Sequence, residues 1–381
     1  MTPLPEFALE TLFAKWEFSA RHHLTASDAQ TMRLPELLAL AQPDQRMAFE
    51  NLALGYSETW GAPDVRDAVA ATFASRSASD VLCTAGAEEG IYAAITTMLR
   101  PEDHAIVVIP GYQSMQTVSS SICSVTGIPL DASDDWSLDV DRVARAIRSN
   151  TRLIMINFPH NPTGTILSAD RFAALIDLCR RRGIHLFSDE VYRPLGPIDA
   201  VHLPQVADLY ELGISLGVTS KAYGLPGLRI GWLVSQDRGL LQRIERTKHY
   251  LSICNAGPSE RLTVIALKAR ETILRRNCRI VTENLQIMDR FFAERPDLFE
   301  WRRPDGACVG YPRYLGADGV ETFARRLVEE SGVFVAPASV FASTLGQTPT
   351  DRFRIGFGRD GLLDGLQAFR NHLERCYPSP R

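Results

Sequence analysis

Between residues 60 and 235 short apolar runs alternate with longer stretches of helical periodicity. The apolar runs are Val81 to Cys83, Ala105 to Ile109, Leu153 to Ile156, Ile184 to Phe187, Ile214 to Val218 and Ile230 to Val234. Each is too short for a buried helix and lacks a polar face, which predicts strands buried on both sides. Helices are expected between them. One opens at Pro63, with proline in its first turn, and runs to about Ala74. Others cover Ala87 to Leu99 and Leu138 to Ile147, and a fourth is capped by Ser168 and stopped by Gly183. Buried strands separated by amphipathic helices make an α/β chain with a mostly parallel sheet covered by helices.

The flanks read differently. Phe7, Leu9, Leu12, Phe13 and Trp16 form a loose helical stripe behind an N-terminal arm. His22-His23 and the polar residues after them read as a surface loop, since no third ligand stands at metal-binding spacing. Residues 258 to 296 read as a long helical region broken near Asn277. Short strands (Ala307 to Tyr311, Val333 to Ala336, Phe353 to Phe357) and helices (Glu321 to Glu330, Leu362 to Glu374) follow, as in an α+β domain. The expected division is 1–45 as arm and part of a smaller domain, 46–275 as the large domain, and 276–381 as the C-terminal small domain.

Composition narrows the function. At 381 residues, 45% hydrophobic and 23% charged, the chain suits two globular domains. A net charge of -4 and the lack of any Lys/Arg run argue against nucleic acid. No apolar run reaches membrane-spanning length, and the N-terminus lacks the basic and apolar regions of a leader, so a cytoplasmic protein is expected. The 7 cysteines are scattered without a C-x-x-C pair, which suits reduced thiols and predicts no metal site.

In open α/β sheets ligands bind beyond the carboxyl ends of the strands. Gly86-Ala87-Glu88 follows one predicted strand and opens a helix, offering free N–H groups to a phosphate. Tyr112 follows another and offers a ring for stacking. Asn161 lies in the rigid turn Asn157 to Gly164 and offers an amide to a phenolate oxygen. Asp189 ends a buried run, where a carboxylate is costly unless it meets a cation. Lys221 follows Ile214 to Val218 on a tight turn, and Arg229 stands eight residues on. A lysine against apolar walls has a lowered pKa and can form a Schiff base with a carbonyl compound. Arginine offers a fork of donors to a phosphate. A carbonyl compound with a phosphate tail describes pyridoxal 5'-phosphate, whose protonated ring nitrogen would be the cation for Asp189. Taken singly, each residue has a plainer role: helix start, packing tyrosine, helix cap, surface turn.

Taken together, Asn161-Pro162-Thr163-Gly164, Asp189-Glu190-Val191-Tyr192 and Lys221 to Trp232 resemble the class I/II aminotransferases, fold-type-I enzymes dependent on pyridoxal phosphate. The resemblance spans about Leu54 to Phe357. It implies a seven-stranded, mostly parallel sheet in the large domain and a smaller α+β domain. It implies Lys221 as Schiff-base lysine and acid/base, with Asp189 on the pyridine nitrogen and Tyr112 on the ring face. Asn161 and Tyr192 would serve the phenolate oxygen. Gly86, Ala87, Glu88 and Arg229 would hold the phosphate, and Arg354 the substrate α-carboxylate. Tyr56 matches a tyrosine that reaches the phosphate of a neighbouring subunit, which implies a homodimer with shared sites.

Two departures stand out. The family often has serine three positions before the lysine; here it is Val218, with Ser220 or Thr219 as substitutes. In place of a Gly-x-Pro-Asp segment the chain has Leu24 to Met32, similar to capreomycidine and enduracididine synthases, which eliminate and cyclise hydroxylated arginines. Ser27 and Asp28 in it are candidate substrate contacts. His22, His23, Glu17 and Asp28 are candidates to face the pocket, and acidic groups there would favour a basic substrate. The expected activity is amino transfer between an L-amino acid and a 2-oxo acid. The alternative is elimination with cyclisation of a modified basic amino acid. A ligand-sensing half of a transcription regulator fits poorly, since no DNA-binding domain is read before Leu54.

Overall fold

The computed structural model describes residues 2–378. Seven strands form one sheet: β1 (Val81–Thr84), β2 (His104–Ile109), β3 (Ser124–Pro129), β4 (Thr151–Asn157), β5 (His185–Asp189), β6 (Gly213–Val218) and β7 (Gly231–Ser235). Their spatial order is β1-β7-β6-β5-β4-β2-β3, parallel throughout except for β7, which runs against both neighbours. The α/β class and the mostly parallel seven-stranded sheet agree with the sequence reading.

Both faces of the sheet are buried, and the side-chain period of two divides them. Val107, Met155 and Phe187 pack into one hydrophobic core, while Ile106, Ile154 and Leu186 pack into another on the opposite side. Each fully buried side chain of this kind is worth about 1.5–3 kcal/mol. Helix ends follow local chemistry. Ser168 Oγ accepts the Arg171 N–H at 3.3 Å at the start of Ala169–Arg182, and Gly183 ends that helix at φ +62°.

Three expectations need correction. The helical region does not break at Asn277. Gly257–Lys268 and Arg270–Ala293 meet at Ala269, and Asn277 lies buried inside the second helix, where its Nδ2 donates to the Ala222 carbonyl at 2.8 Å. That bond gives a polar residue a reason to sit mid-helix. His22–His23 is not a surface loop but a short strand, parallel to Val333–Phe334. The segment after it is buried from Leu24 to Ala29. The sheet also has an edge strand, β3, that no apolar run announced.

Beyond the large sheet, a three-stranded antiparallel sheet sets Phe353–Gly356 between Val309–Gly310 and Ala336–Pro337. Phe353 and Ile355 enter the hydrophobic core, so by alternation Arg354 points the other way. Among the described residues no helix is long and apolar enough to cross a membrane.

Candidate active site

A cavity of about 490 Å³ lies where the ends of β1, β4, β5 and β6 meet the N-terminal helix Ala8–Trp16 and the central strand of the small sheet. Lys221, Asp189, Asn161, Tyr192, Tyr112, Ala87, Glu88, Ser220, Arg229, Ser27, Asp28 and Arg354 all line it. Gly86 adjoins it through Arg229. Tyr56 does not reach it and is 93% exposed.

Lys221 follows the carboxyl end of β6. Its Nζ donates to Ser27 Oγ at 3.0 Å. Burial lowers its pKa, the Asp28 carboxylate opposes that, and the Arg354 charge adds to it. Asp189 closes β5, beside Asn157 at the end of β4. Asn157 Nδ2 donates to the Asp189 carbonyl at 3.1 Å, and its Oδ1 accepts the Asn161 N–H at 2.9 Å, so Asn157 fixes both neighbours. The Asp189 carboxylate accepts the Val191 N–H at 3.2 Å. Burial pushes its pKa up to about 7, and the nearby Lys221 charge only partly offsets this.

Arg354 is 0% exposed and forms no ion pair among the described residues. Its Nε and one terminal nitrogen meet Thr25 Oγ1 and the Thr25 carbonyl at 3.3 and 2.9 Å. The other terminal nitrogen donates to Asn161 Oδ1 at 3.1 Å, which leaves the Asn161 NH2 as the donor that residue can offer a ligand. A buried guanidinium without a carboxylate is costly until one arrives. Phe13 and Phe341 stand 5.7 and 5.3 Å from its central carbon.

The other end of the cavity is built for an anion. Gly86, at φ +87°, opens the helix Ala87–Met98, and a Cβ there would fall 2.5 Å from an Arg229 nitrogen. Only glycine lets the guanidinium approach that helix start. Arg229 itself is left-handed at φ +53° and enters from the amino end of β7, since that strand runs backwards. Ser220 Oγ is buried without a hydrogen-bond partner, whereas Thr219 Oγ1 is held by the carbonyls of Leu225 and Ile230 at 3.3 and 3.0 Å. Of the two candidates to replace the missing serine at Val218, Ser220 has the free hydroxyl. Glu88 is held by the Ser114 hydroxyl, and burial raises its pKa.

Tyr112 lines the cavity with its hydroxyl donating to Glu10 Oε1 at 3.3 Å and its ring 5.1 Å from Phe7. Tyr192 donates its hydroxyl proton to the Ser27 carbonyl at 2.7 Å, so it would have to release that bond to serve a cofactor oxygen. Sequence reasoning missed Glu10 and Arg359. Arg359 binds both oxygens of Asp28 at 3.0 and 2.8 Å, so the Asp28 charge is already matched and does not by itself favour a basic substrate.

The chain matches the family profile "Aminotransferase class I and II" over residues 24–366. It belongs to that family. Enzymes of the family depend on pyridoxal 5'-phosphate, and the residues present suit it: an unpartnered buried hydroxyl on Ser220 next to the lysine, a buried carboxylate on Asp189 with no ion pair among the described residues, and the buried lysine itself. The chain is 29% identical over 382 residues to capreomycidine synthase of Streptomyces vinaceus, covering 97% of this chain and 93% of that one. A crystal structure of a PLP-dependent aminotransferase from Streptococcus suis superposes with a TM-score of 0.92 at 27% identity over 100% of both chains. The PLP-dependent cyclase OrfR shares the fold, with a TM-score of 0.89 at 23% identity over 98% of each chain.

Proposed function

We propose that this chain is a pyridoxal-phosphate-dependent aminotransferase that moves the amino group of an L-amino acid to a 2-oxo acid. The observation that carries the reading is the pairing, in one cavity, of a buried lysine of lowered pKa with a fully buried arginine that lacks a carboxylate. When bound, the cofactor supplies an electron sink for the pair left at the substrate Cα. Lys221 Nζ would hold the cofactor covalently, take the proton from Cα of the amino donor and, in the second half of the reaction, give a proton to Cα of the amino acid formed from the 2-oxo acid. Its lowered pKa leaves more of the amine neutral for that task. Asp189 would hold the proton on the ring nitrogen, while Gly86, Ala87, Ser220 and Arg229 would hold the phosphate. Arg354 would orient the substrate through its α-carboxylate, with Asn161 beside it. Tyr112 would cover the ring face.

The working unit in this reading is a homodimer. Tyr56, Leu54 and Tyr250 are 93%, 84% and 91% exposed. Their segments are neighbours, tied by Ser57 Oγ to the Asn255 carbonyl at 3.3 Å and Lys248 Nζ to the Thr59 carbonyl at 2.7 Å. A clustered apolar surface of this kind suits a second copy. Sedimentation should give twice the 42.3 kDa chain mass, and a monomer would remove this part of the reading.

The test is an absorbance spectrum of the purified protein with single amino acids, followed by assay for the keto acid. One donor should yield its keto acid, and a 2-oxo acid should restore the starting spectrum. In Arg354→Lys the KM for that donor should rise about tenfold to a hundredfold, because a point charge cannot replace the planar fork.

Elimination with cyclisation is the second reading. The likeness to capreomycidine synthase over nearly the whole chain favours it, as does the place of Ser27, from the unusual Leu24 to Met32 segment, at the lysine. Loss of water or ammonia, or a cyclic amino acid in place of a keto acid, would select it.

A further inference from the structure

Charge around the cavity is balanced except at one end. Asp28 is matched by Arg359. Under the amino-acid reading above, Arg229 faces a phosphate, Arg354 an α-carboxylate and Asp189 a ring cation. Besides Glu88, which the Ser114 hydroxyl holds at the phosphate end, Glu10 and Glu17 remain. Neither forms an ion pair with Lys or Arg among the described residues. Glu10 Oε1 accepts only the Tyr112 hydroxyl, and Glu17 Oε1 is 3.9 Å from His23 Nε2, beyond hydrogen-bond reach.

Both carboxylates come from one helical face. Glu10, Phe13 and Glu17 are spaced three and four residues apart, and Glu17 keeps helical backbone angles at the end of Ala8–Trp16. Phe13, between them, is the ring that backs Arg354. The face that supports the carboxylate-binding arginine therefore carries a free carboxylate on either side of it. His23 adds acceptor capacity. Both its ring nitrogens are buried without a partner, and burial, helped by Arg359 and Arg354 and opposed by Asp28, lowers its pKa to about 4. The ring is neutral at pH 7 and has one nitrogen free to accept. Burial raises the Glu17 pKa, with Arg359 and Lys221 opposing and Glu10 and Asp28 adding, and its side chain stays 34% exposed.

We propose that Glu17, with Glu10 on the same face and His23 as a neutral acceptor beside it, recognises the distal guanidinium or ammonium group of a basic amino acid whose α-carboxylate rests on Arg354. A dicarboxylic substrate would set its second carboxylate against Glu17 and would find Arg359 already bonded to Asp28.

Calorimetric titration of the holoenzyme with arginine and its neutral isostere citrulline, and with lysine and norleucine, tests this. The cationic member of at least one pair should bind about tenfold tighter or more, the worth of a charge-assisted hydrogen bond. Preference within the arginine pair assigns a guanidinium, and within the lysine pair an ammonium. In Glu17→Gln the preference should fall to within about threefold while the neutral member binds as before. No cationic preference in the wild type overturns the proposal, as does a preference that survives in both Glu17→Gln and Glu10→Gln. The wild-type comparison decides the substrate class even if a variant fails to fold. A protein that prefers the cation yet carries no cofactor would sink the catalytic reading and leave the Glu17 assignment standing.

Discussion

Lys221→Ala is expected to lose about 10,000-fold or more of the turnover rate while keeping its fold and some cofactor. The loss combines a covalent anchor with an acid/base group, and the second alone is worth about 100- to 10,000-fold. The substitution should not destabilise the chain much. Burial lowers the lysine pKa, so its charged form is less favoured in the folded protein than in the unfolded chain. Ser27 Oγ would lose its donor, a cost of about 1 kcal/mol. Thermal midpoints measured beside kcat check both halves. In the wild type the rate should rise with pH along a limb below the ordinary lysine value, since the working form is the neutral amine. A limb at or above that value would contradict the role.

Asp189→Asn should lower kcat about 1,000-fold and change the pH dependence of stability. At ~4 Å and an effective dielectric of ~20, a carboxylate and a ring cation attract by roughly 4 kcal/mol before desolvation. Asparagine forfeits that attraction. In the cofactor-free protein the sign reverses. The Asp189 pKa is raised from 3.8 to about 7, so the folded state holds more protons than the unfolded chain across that window. Stability therefore falls as pH rises through it, by up to about 4 kcal/mol. Asp189→Asn removes this share, so the cofactor-free variant should equal the wild type near pH 4 and exceed it above pH 7. Glu190 is also raised to about 7, but it is common to both proteins and cancels in the difference. Denaturant titrations between those pH values read the effect, and parallel curves would remove the uncompensated carboxylate from the account.

The large sheet was legible because its strands are buried on both faces and stand out as apolar runs. β3 was not, because Ser124–Pro129 is a half-buried edge strand with glycine and proline in it. Asn277 looked like a helix break because its partner, the Ala222 carbonyl, lies 55 residues away. Much of the candidate site lies on short loops beyond the strands, so strand prediction brought Lys221, Asp189 and Asn161 to one edge. The wall supplied by the N-terminal helix and small sheet was harder to read. Asp28 looked like a free acid because Arg359, 331 residues on, gives no local signal. Glu10 sits on a helix whose apolar stripe drew attention to the opposite property. The choice between Ser220 and Thr219 needed the two backbone carbonyls that occupy the threonine.

The most direct measurement is borohydride reduction of the native protein followed by peptide mass spectrometry. A phosphopyridoxyl group fixed on the peptide at Lys221, and absent from Lys221→Ala, is the predicted result. Attachment at another lysine, or none in a protein supplied with the cofactor, would contradict the central claim.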